Sequence, residues 1–337
     1  MRVLITGAFG NIGLSTIEEV ITQGDIVRCF DLKTKKNESI FRNLKRKYKD
    51  RIEVYWGDIT KEDDIRKALE NQDVVIHLAF IIPKLSSTGL ESEKVPDIAY
   101  KINVIGTKNL VSMMEILPKP KKLIFTSSVH VFGLTQHLEP PRKSDDPVNP
   151  HEHYSRHKLE CENIIKNSNL TWSIYRLSAS LPINLKLDIG MFDVPLNNRM
   201  EYVHTKDVGF AIAKGIKSDK IWKKVLLIGG GPRCQYYYKD IVEKVLKSIG
   251  LGMLPEEAFS DKPFATDWMD TRESEEILHY QRRTLEDYIE DVKKTLGYKI
   301  FFIRLFSPTI RYLLLKKSPY YKKRYIPLKV LLEGYRF

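Results

Sequence analysis

The chain opens on a strand, a glycine turn and a helix: Val3-Leu4-Ile5-Thr6-Gly7-Ala8-Phe9-Gly10-Asn11-Ile12-Gly13, with a helical pattern continuing from Ile12 to Gln23. Glycines at this spacing let the backbone turn sharply and approach a ligand without Cβ clashes. The helix that starts there aims its unpaired N–H groups and the positive end of its dipole at the same point, which suits a pyrophosphate. The segment predicts dinucleotide binding by Gly7, Phe9, Gly10, Asn11, Ile12 and Gly13. A purely structural glycine turn is the alternative.

Short apolar strands then alternate with helical stretches. Strands are predicted at Arg2–Thr6, Ile26–Phe30, Glu53–Trp56, Val74–Leu78, Lys122–Thr126, Ser173–Leu177 and Val225–Ile228. Several are unbroken β-branched or aliphatic runs, the pattern of strands buried on both faces. Helices are predicted between them, among others at Lys61–Asn71, Ala99–Met114 and His153–Ser168. Alternating β and α elements predict an α/β fold, a Rossmann-type doubly wound parallel sheet with its ligand site at the carboxyl ends of the strands. The sheet is expected to use residues 1–177, with 203–231 returning to it. A smaller substrate-binding lobe would come from 178–202 and 232–297, and 298–337 would form a basic amphipathic tail.

Of the net charge of +12, the segment from Lys299 to Phe337 carries +9, with ten Lys or Arg residues against Glu333, leaving +3 for the rest. The basic character belongs to one end, so a nucleic-acid partner is not expected. In that tail, Ile300–Phe306 and Ile310–Leu315 are apolar runs punctuated by Arg304 and Arg311 and followed by Lys316-Lys317 and Lys322-Lys323-Arg324. The pattern fits peripheral contact with an anionic membrane, or packing on the catalytic body or a partner subunit with the charges solvated. No signal peptide or spanning helix is legible, so the expected address is cytoplasmic. The three cysteines, Cys29, Cys161 and Cys234, lack metal-ligand spacing; each reads as reduced and partly buried, and no metal is expected.

An acid at the end of the second strand would accept hydrogen bonds from ribose hydroxyls and repel a 2′-phosphate. Asp31 fits, which favours NAD over NADP; the nearby Lys33, Lys35 and Lys36 either sit in a solvated loop or swing toward such a phosphate. Asp58, after the third strand, is placed to contact adenine or, equally, to cap the helix near Lys61. Tyr154 and Lys158, at i and i+4, share one helix face at the start of the helix after the fifth strand. The lysine is expected to lower the tyrosine pKa toward neutrality and make it a usable acid or base. The fifth strand ends in Thr126-Ser127-Ser128, where a hydroxyl would hold the substrate oxygen.

These motifs resemble the extended short-chain dehydrogenase/reductases of the NAD-dependent epimerase/dehydratase type. The match continues through Asp58-Ile59, His77-Leu78-Ala79, Asn103 to Thr107, Ser127 through Gly133, Tyr175-Arg176-Leu177, Tyr202 to Val208, and Asp270-Thr271 with Leu278 to Gln281. The resemblance implies Tyr154 as catalytic acid/base, Lys158 as its pKa tuner and nicotinamide-ribose anchor, and Ser128 ahead of Ser127 as the orienting hydroxyl. It implies that Ile59, Leu78 and Ala79 line the cofactor, and that Asn103 steadies the active site or makes a helix-to-strand hydrogen bond. It also implies a homodimer through the helices at Ala99–Met114 and His153–Ser168.

Departures from the family pattern bear on the reaction. Val129 and His130 stand where sugar-nucleotide dehydratases place acids, which argues against dehydration, although His130 is itself a possible acid. Arg199 is out of register by one with the arginine that clamps a substrate diphosphate. The Tyr236-Tyr237-Tyr238 cluster and Trp268 either face the substrate or pack the lobe. The expected function is NAD-dependent hydride chemistry on a secondary hydroxyl or ketone, a nucleotide-sugar epimerase first. The alternatives are a dehydrogenase or reductase of a non-sugar substrate, and a non-catalytic dinucleotide sensor.

Overall fold

The computed structural model describes residues 1–84, 88–185, 187, 189–322 and 326–332. Lys323, Arg324 and Glu333 of the tail lie outside the described residues, as do 186 and 188 of the lobe.

The strands are β1 (Arg2–Thr6), β2 (Ile26–Asp31), β3 (Ile52–Trp56), β4 (Val74–His77), β5 (Lys122–Ser128), β6 (Thr171–Leu177), β7 (Arg199–Glu201), β8 (Lys224–Ile228) and β9 (Gln235–Tyr237). Seven of them form one parallel sheet in the order β3-β2-β1-β4-β5-β6-β8. All seven strands expected from the sequence are present. The apolar runs fill both faces: Val3, Ile5, Val27 and Ile76 belong to one core, Leu4, Val75, Leu123 and Phe125 to the other. The strand order reverses between β1 and β4, and the crevice at that switch point is where a doubly wound sheet binds its ligand.

Eight helices flank the sheet and build the lobe: α1 (Asn11–Thr22), α2 (Lys35–Tyr48), α3 (Glu62–Leu69), α4 (Pro96–Tyr100), α5 (Gly106–Ile116), α6 (His153–Lys166), α7 (Thr205–Gly215) and α8 (Tyr238–Ser248). Residues Lys101–Ile105 join α4 to α5 by a π-helical turn. The expected loop around Lys35 and Lys36 is instead the first turn of α2, capped by the Thr34 side chain, which accepts from the Asn37 N–H at 3.1 Å. Lys33 lies 3.7 Å from Glu38.

A further core, separate from the sheet, gathers Phe192, Met200, Tyr202, Tyr238, Ile241, Leu246, Phe259 and Tyr288. The strands β7 and β9 pair antiparallel above it. The helices α10 (Leu285–Leu296), α11 (Lys299–Leu305), α12 (Ser307–Lys317) and α13 (Leu328–Leu332) follow here, while α9 (Arg272–Leu278) packs its Leu278 into the sheet core. Leu314, Leu315, Tyr321 and Ile326 of the tail belong to this lobe core. The three cysteines are free and fully buried, deeper than expected.

Candidate active site

The glycine turn has the shape its spacing implies. Gly7 sits at φ +64°, and a Cβ there would lie 2.7 Å from the Ala79 Cα and N, so only glycine lets β1 and β4 close together at this point. A Cβ on Gly13 would collide with the Ala8 carbonyl. Gly10 is the N-cap of α1, and no side chain caps the helix, so its first N–H groups face the turn unspent. This is the cradle a pyrophosphate needs. The fit extends to Asp31, whose carboxylate accepts from the Phe9 N–H at 3.0 Å and the Leu32 N–H at 2.8 Å and stands half-buried beside the turn. Burial pushes its pKa up, and the two N–H donors pull it back.

Other residues expected around a dinucleotide contribute through their backbone or by packing. The Phe9 ring is in the core, 5.5 Å from Trp56 and 6.4 Å from Phe41, and Ile59 is buried against Gly106. Ile12 is partly buried, and the exposed Asn11 amide donates to the Ser180 carbonyl at 3.4 Å, linking turn to lobe. The Asp58 carboxylate accepts from Thr60 N–H and Oγ1, both at 2.9 Å, while Lys61 is the N-cap of α3; Asp58 holds the turn and does not cap the helix. The N–H groups of Leu78 and Ala79 donate to Thr6 Oγ1 at 3.2 Å each. That hydroxyl also contacts His77 Nδ1 at 2.7 Å, and His77 Nε2 meets Thr107 Oγ1 at 2.9 Å. Burial drives the His77 pKa down to about 3, so the ring is neutral and serves as a fixed link between β1, β4 and α5.

At the end of β5 successive side chains point to opposite faces. Ser127 acts on the Glu162 carboxylate, while Ser128 acts on the Tyr154 phenol, pulling its pKa down, and accepts from the His130 N–H at 3.3 Å. The geometry therefore places Ser128, not Ser127, beside the tyrosine. The start of α6 is over-determined: Glu152 and Ser155 form a capping box, and the Glu93 carboxylate accepts from the His153 and Tyr154 N–H groups at 3.2 and 2.9 Å. Lys158 lies one turn on, its Nζ donating to the Thr126 carbonyl at 2.6 Å.

The electrostatics of this pair differ from the sequence expectation. Tyr154 is pushed up to about 12 by burial, against the pull of the Ser128 hydrogen bond. Lys158 is pushed down to about 7, also by burial. The reason is positional: the Lys158 ammonium sits 3.5 Å from the Phe80 ring centroid and 5.9 Å from that of Tyr154, turned toward the Thr126 carbonyl. Phe80, which also packs edge-on to Tyr154 at 5.8 Å, reads in the sequence as one more apolar residue after a strand. Glu93 and Glu152 were equally invisible there, because their partners are set by the loop after β4 and by the α6 terminus.

The wall facing Tyr154 is aromatic. The His130 ring stands 5.7 Å from Tyr154 and 5.4 Å from Phe264 of the lobe, and its Nδ1 is 2.8 Å from Glu152 Oε2. The Arg199 guanidinium is taken up by partners within the protein. Its Nε and Nη2 reach the fully buried Asp267 carboxylate at 2.7 and 3.2 Å, and Nη2 also donates to the Leu138 carbonyl. Tyr238 packs the lobe core and donates to the Met191 carbonyl; Trp268 donates to the Tyr236 carbonyl and stacks edge-on with Tyr237 at 5.6 Å.

A family model described as the NAD dependent epimerase/dehydratase family matches residues 3–181, more than half of the chain. The chain belongs to that family. Among curated relatives, a UDP-glucose 4-epimerase of Dictyostelium discoideum is 29% identical over 218 residues, 62% of this chain and 60% of that protein. The N-acetyl-alpha-D-glucosaminyl-diphospho-ditrans,octacis-undecaprenol 4-epimerase of Escherichia coli O157:H7 is 29% identical over 165 residues, 49% of this chain and 43% of that protein. The chain thus spans less than two thirds of the length of these relatives. Among solved structures, the UDP-glucuronic acid 4-epimerase of Bacillus cereus, in complex with UDP-glucuronic acid and NAD, superposes with a TM-score of 0.71 at 21% identity, covering 88% of this chain and 100% of that one. At that identity the likeness speaks for the fold alone.

Proposed function

We propose that this family member is an NAD-dependent 4-epimerase of a nucleotide sugar, working by removal and return of hydride at a secondary hydroxyl. The observation that carries the reading is the convergence, at the carboxyl edge of the sheet, of a glycine cradle, Asp31, and the Ser128–Tyr154–Lys158 group. The relatives with UDP-glucose 4-epimerase activity in their names support the substrate class.

Bound NAD supplies the hydride acceptor. The unspent N–H groups at the start of α1 would hold its pyrophosphate, and the Asp31 carboxylate would accept from its ribose hydroxyls and repel a 2′-phosphate. Ser128 holds the substrate oxygen, and Tyr154 takes its proton as the C–H bond breaks. Tyr154 must act as phenolate in that step, and the Lys158 ammonium, 5.9 Å from its ring centroid, is the cation that would favour ionisation. On return, Tyr154 gives that proton back to the substrate oxygen as hydride returns to the carbon. Glu152, paired with His130, fixes the imidazole against the substrate side of Tyr154.

A second reading, a dehydrogenase or reductase of a substrate without a diphosphate, is favoured by one observation: Arg199 is committed to Asp267. The two separate on one experiment. Freshly purified protein is denatured and the released nucleotide identified, and the native protein is incubated with UDP-glucose and followed by proton NMR. Stoichiometric NAD with inversion at C4 supports the epimerase. An empty site, with NADH consumed only on non-nucleotide carbonyl compounds, favours the second reading, and release of NADP contradicts the role given to Asp31.

Within the same reading the protein works in the cytoplasm as a homodimer through the outer faces of α5 and α6. Ile98, Tyr100 and Ile116 stand exposed along α4 and α5. Sedimentation velocity of Ile116→Lys, expected to be monomeric, tests the interface.

A further inference from the structure

The helices α11 and α12 take no part in the site, yet they are firmly built. On α12 the side chains of Ser307, Arg311, Leu314 and Leu315 are buried against the lobe. Arg311 donates to the carbonyls of Leu251 at 2.5 Å, Met253 at 2.8 Å and Val330 at 2.7 Å. The Ser318 hydroxyl donates to the Ala258 carbonyl at 2.6 Å, and the Tyr320 hydroxyl to Asp193 at 3.0 Å. The orientation of α12 on the lobe is therefore fixed, and α11, joined to it at Phe306, adds the partly buried Ile303 to the same core.

What they turn outward is apolar. Tyr298, Phe301, Phe302 and Phe306 are 77%, 66%, 49% and 53% exposed, and Tyr312 and Leu313 are 42% and 52% exposed. A helix that merely covers a core shows polar residues to water; α12 sets Tyr312 and Leu313 outward beside its lysines as well as Leu314 and Leu315 inward. An exposed cluster of large apolar side chains on an otherwise ordinary surface marks a contact site.

Charge identifies the contact. From Val292 to Leu332 there are eleven Lys or Arg residues and no acid. Lys299, Arg304, Lys316, Lys317 and Lys322 are exposed around the aromatic cluster. A second copy of the chain would set these like charges against each other. An anionic lipid leaflet meets both features at once: its headgroups pair with the cations, and its interfacial region takes aromatic rings. No described helix is long and apolar enough to cross a membrane, so the segment would lie in the leaflet plane.

We propose that the outer face of α11 and α12 docks the substrate-binding lobe on an anionic membrane surface. The lobe core that holds α12 also packs Phe264, which meets His130 at the active site, so docking would present the substrate wall of the enzyme at a defined angle to the lipid. The inference does not depend on which hydroxyl is oxidised.

The test uses the full chain with vesicles of phosphatidylcholine alone or with about 30% phosphatidylglycerol, at about 0.1 M and about 0.5 M salt. Expected is co-sedimentation with the anionic vesicles at least about tenfold tighter than with neutral ones, weakening at high salt. Phe301→Ser/Phe306→Ser and Lys316→Glu/Lys317→Glu should each weaken it by about tenfold or more, with thermal midpoint and NADH binding unchanged. Absence of binding to anionic vesicles overturns the proposal, as does binding indifferent to both double variants. So does a dimer in solution that the Phe301→Ser/Phe306→Ser change dissociates, which would make a second copy the occupant.

Discussion

The Asn103 side chain grips both backbone groups of Ile81: Oδ1 accepts from its N–H at 2.7 Å, and Nδ2 donates to its carbonyl at 3.0 Å. This pair, set in the π-helical turn before α5, fixes the segment after β4 that carries Leu78, Ala79 and Phe80. Asn103→Ala removes two buried hydrogen bonds and strands both Ile81 groups, a cost of about 2–4 kcal/mol. Chemical denaturation should show that loss, and NADH affinity should fall with it because the wall of the cradle loosens. An unchanged NADH affinity would mean that Asn103 serves the scaffold alone.

Asp31 sets the choice of nucleotide. Asp31→Ala should weaken NADH binding by about tenfold and raise NADPH binding toward it, since the carboxylate no longer repels the 2′-phosphate. Titration of both nucleotides by fluorescence measures this. A variant that loses affinity for both equally would reduce Asp31 to an anchor for the Phe9 and Leu32 N–H groups.

Lys158 makes stability depend on pH in a predictable direction. Burial holds its pKa at about 7 in the folded protein against an ordinary 10.5. Between those values the unfolded chain binds the extra proton, so stability rises with pH; below about 7 the penalty of the buried charge is present in full. Lys158→Met lacks this penalty. Its thermal midpoint should lie above that of the natural protein at pH 7, and the gap should close as the pH approaches 10. Parallel curves would contradict the burial argument.

Arg199 is expected to behave as a structural residue. Removing it leaves the buried Asp267 with Arg142 at 3.5 Å and the Thr135 hydroxyl but without its bidentate partner, for a loss of about 1–3 kcal/mol. Arg199→Ala should therefore unfold at lower denaturant. A diphosphate clamp would behave oppositely, raising KM with stability untouched.

The sheet was legible because its strands are apolar on both faces, and the cradle because glycine spacing has one mechanical use. The helix α2 was not: its apolar stripe, Ile40, Phe41, Leu44 and Tyr48, packs only half-buried on the sheet core, and the Lys and Arg residues crowded around it read as a solvated loop. The strands β7 and β9, three residues each, carry no periodicity. In the site, the proximity of Tyr154, Lys158 and Ser128 was readable from their order, and strand alternation turns Ser128 toward the tyrosine side and Ser127 toward Glu162. Their proton affinities were not readable, because these depend on Phe80 and Thr126 brought alongside by folding. The fate of Arg199 likewise rests on a partner 68 residues away.

The most direct test of the account is the rate of C4 inversion of UDP-glucose by Tyr154→Phe, measured by proton NMR alongside the nucleotide content of the same protein. The account expects NAD content unchanged and inversion slowed by roughly a thousandfold, because the phenol that exchanges the substrate proton is gone while the cradle is intact. Inversion within a few-fold of the natural protein would contradict it.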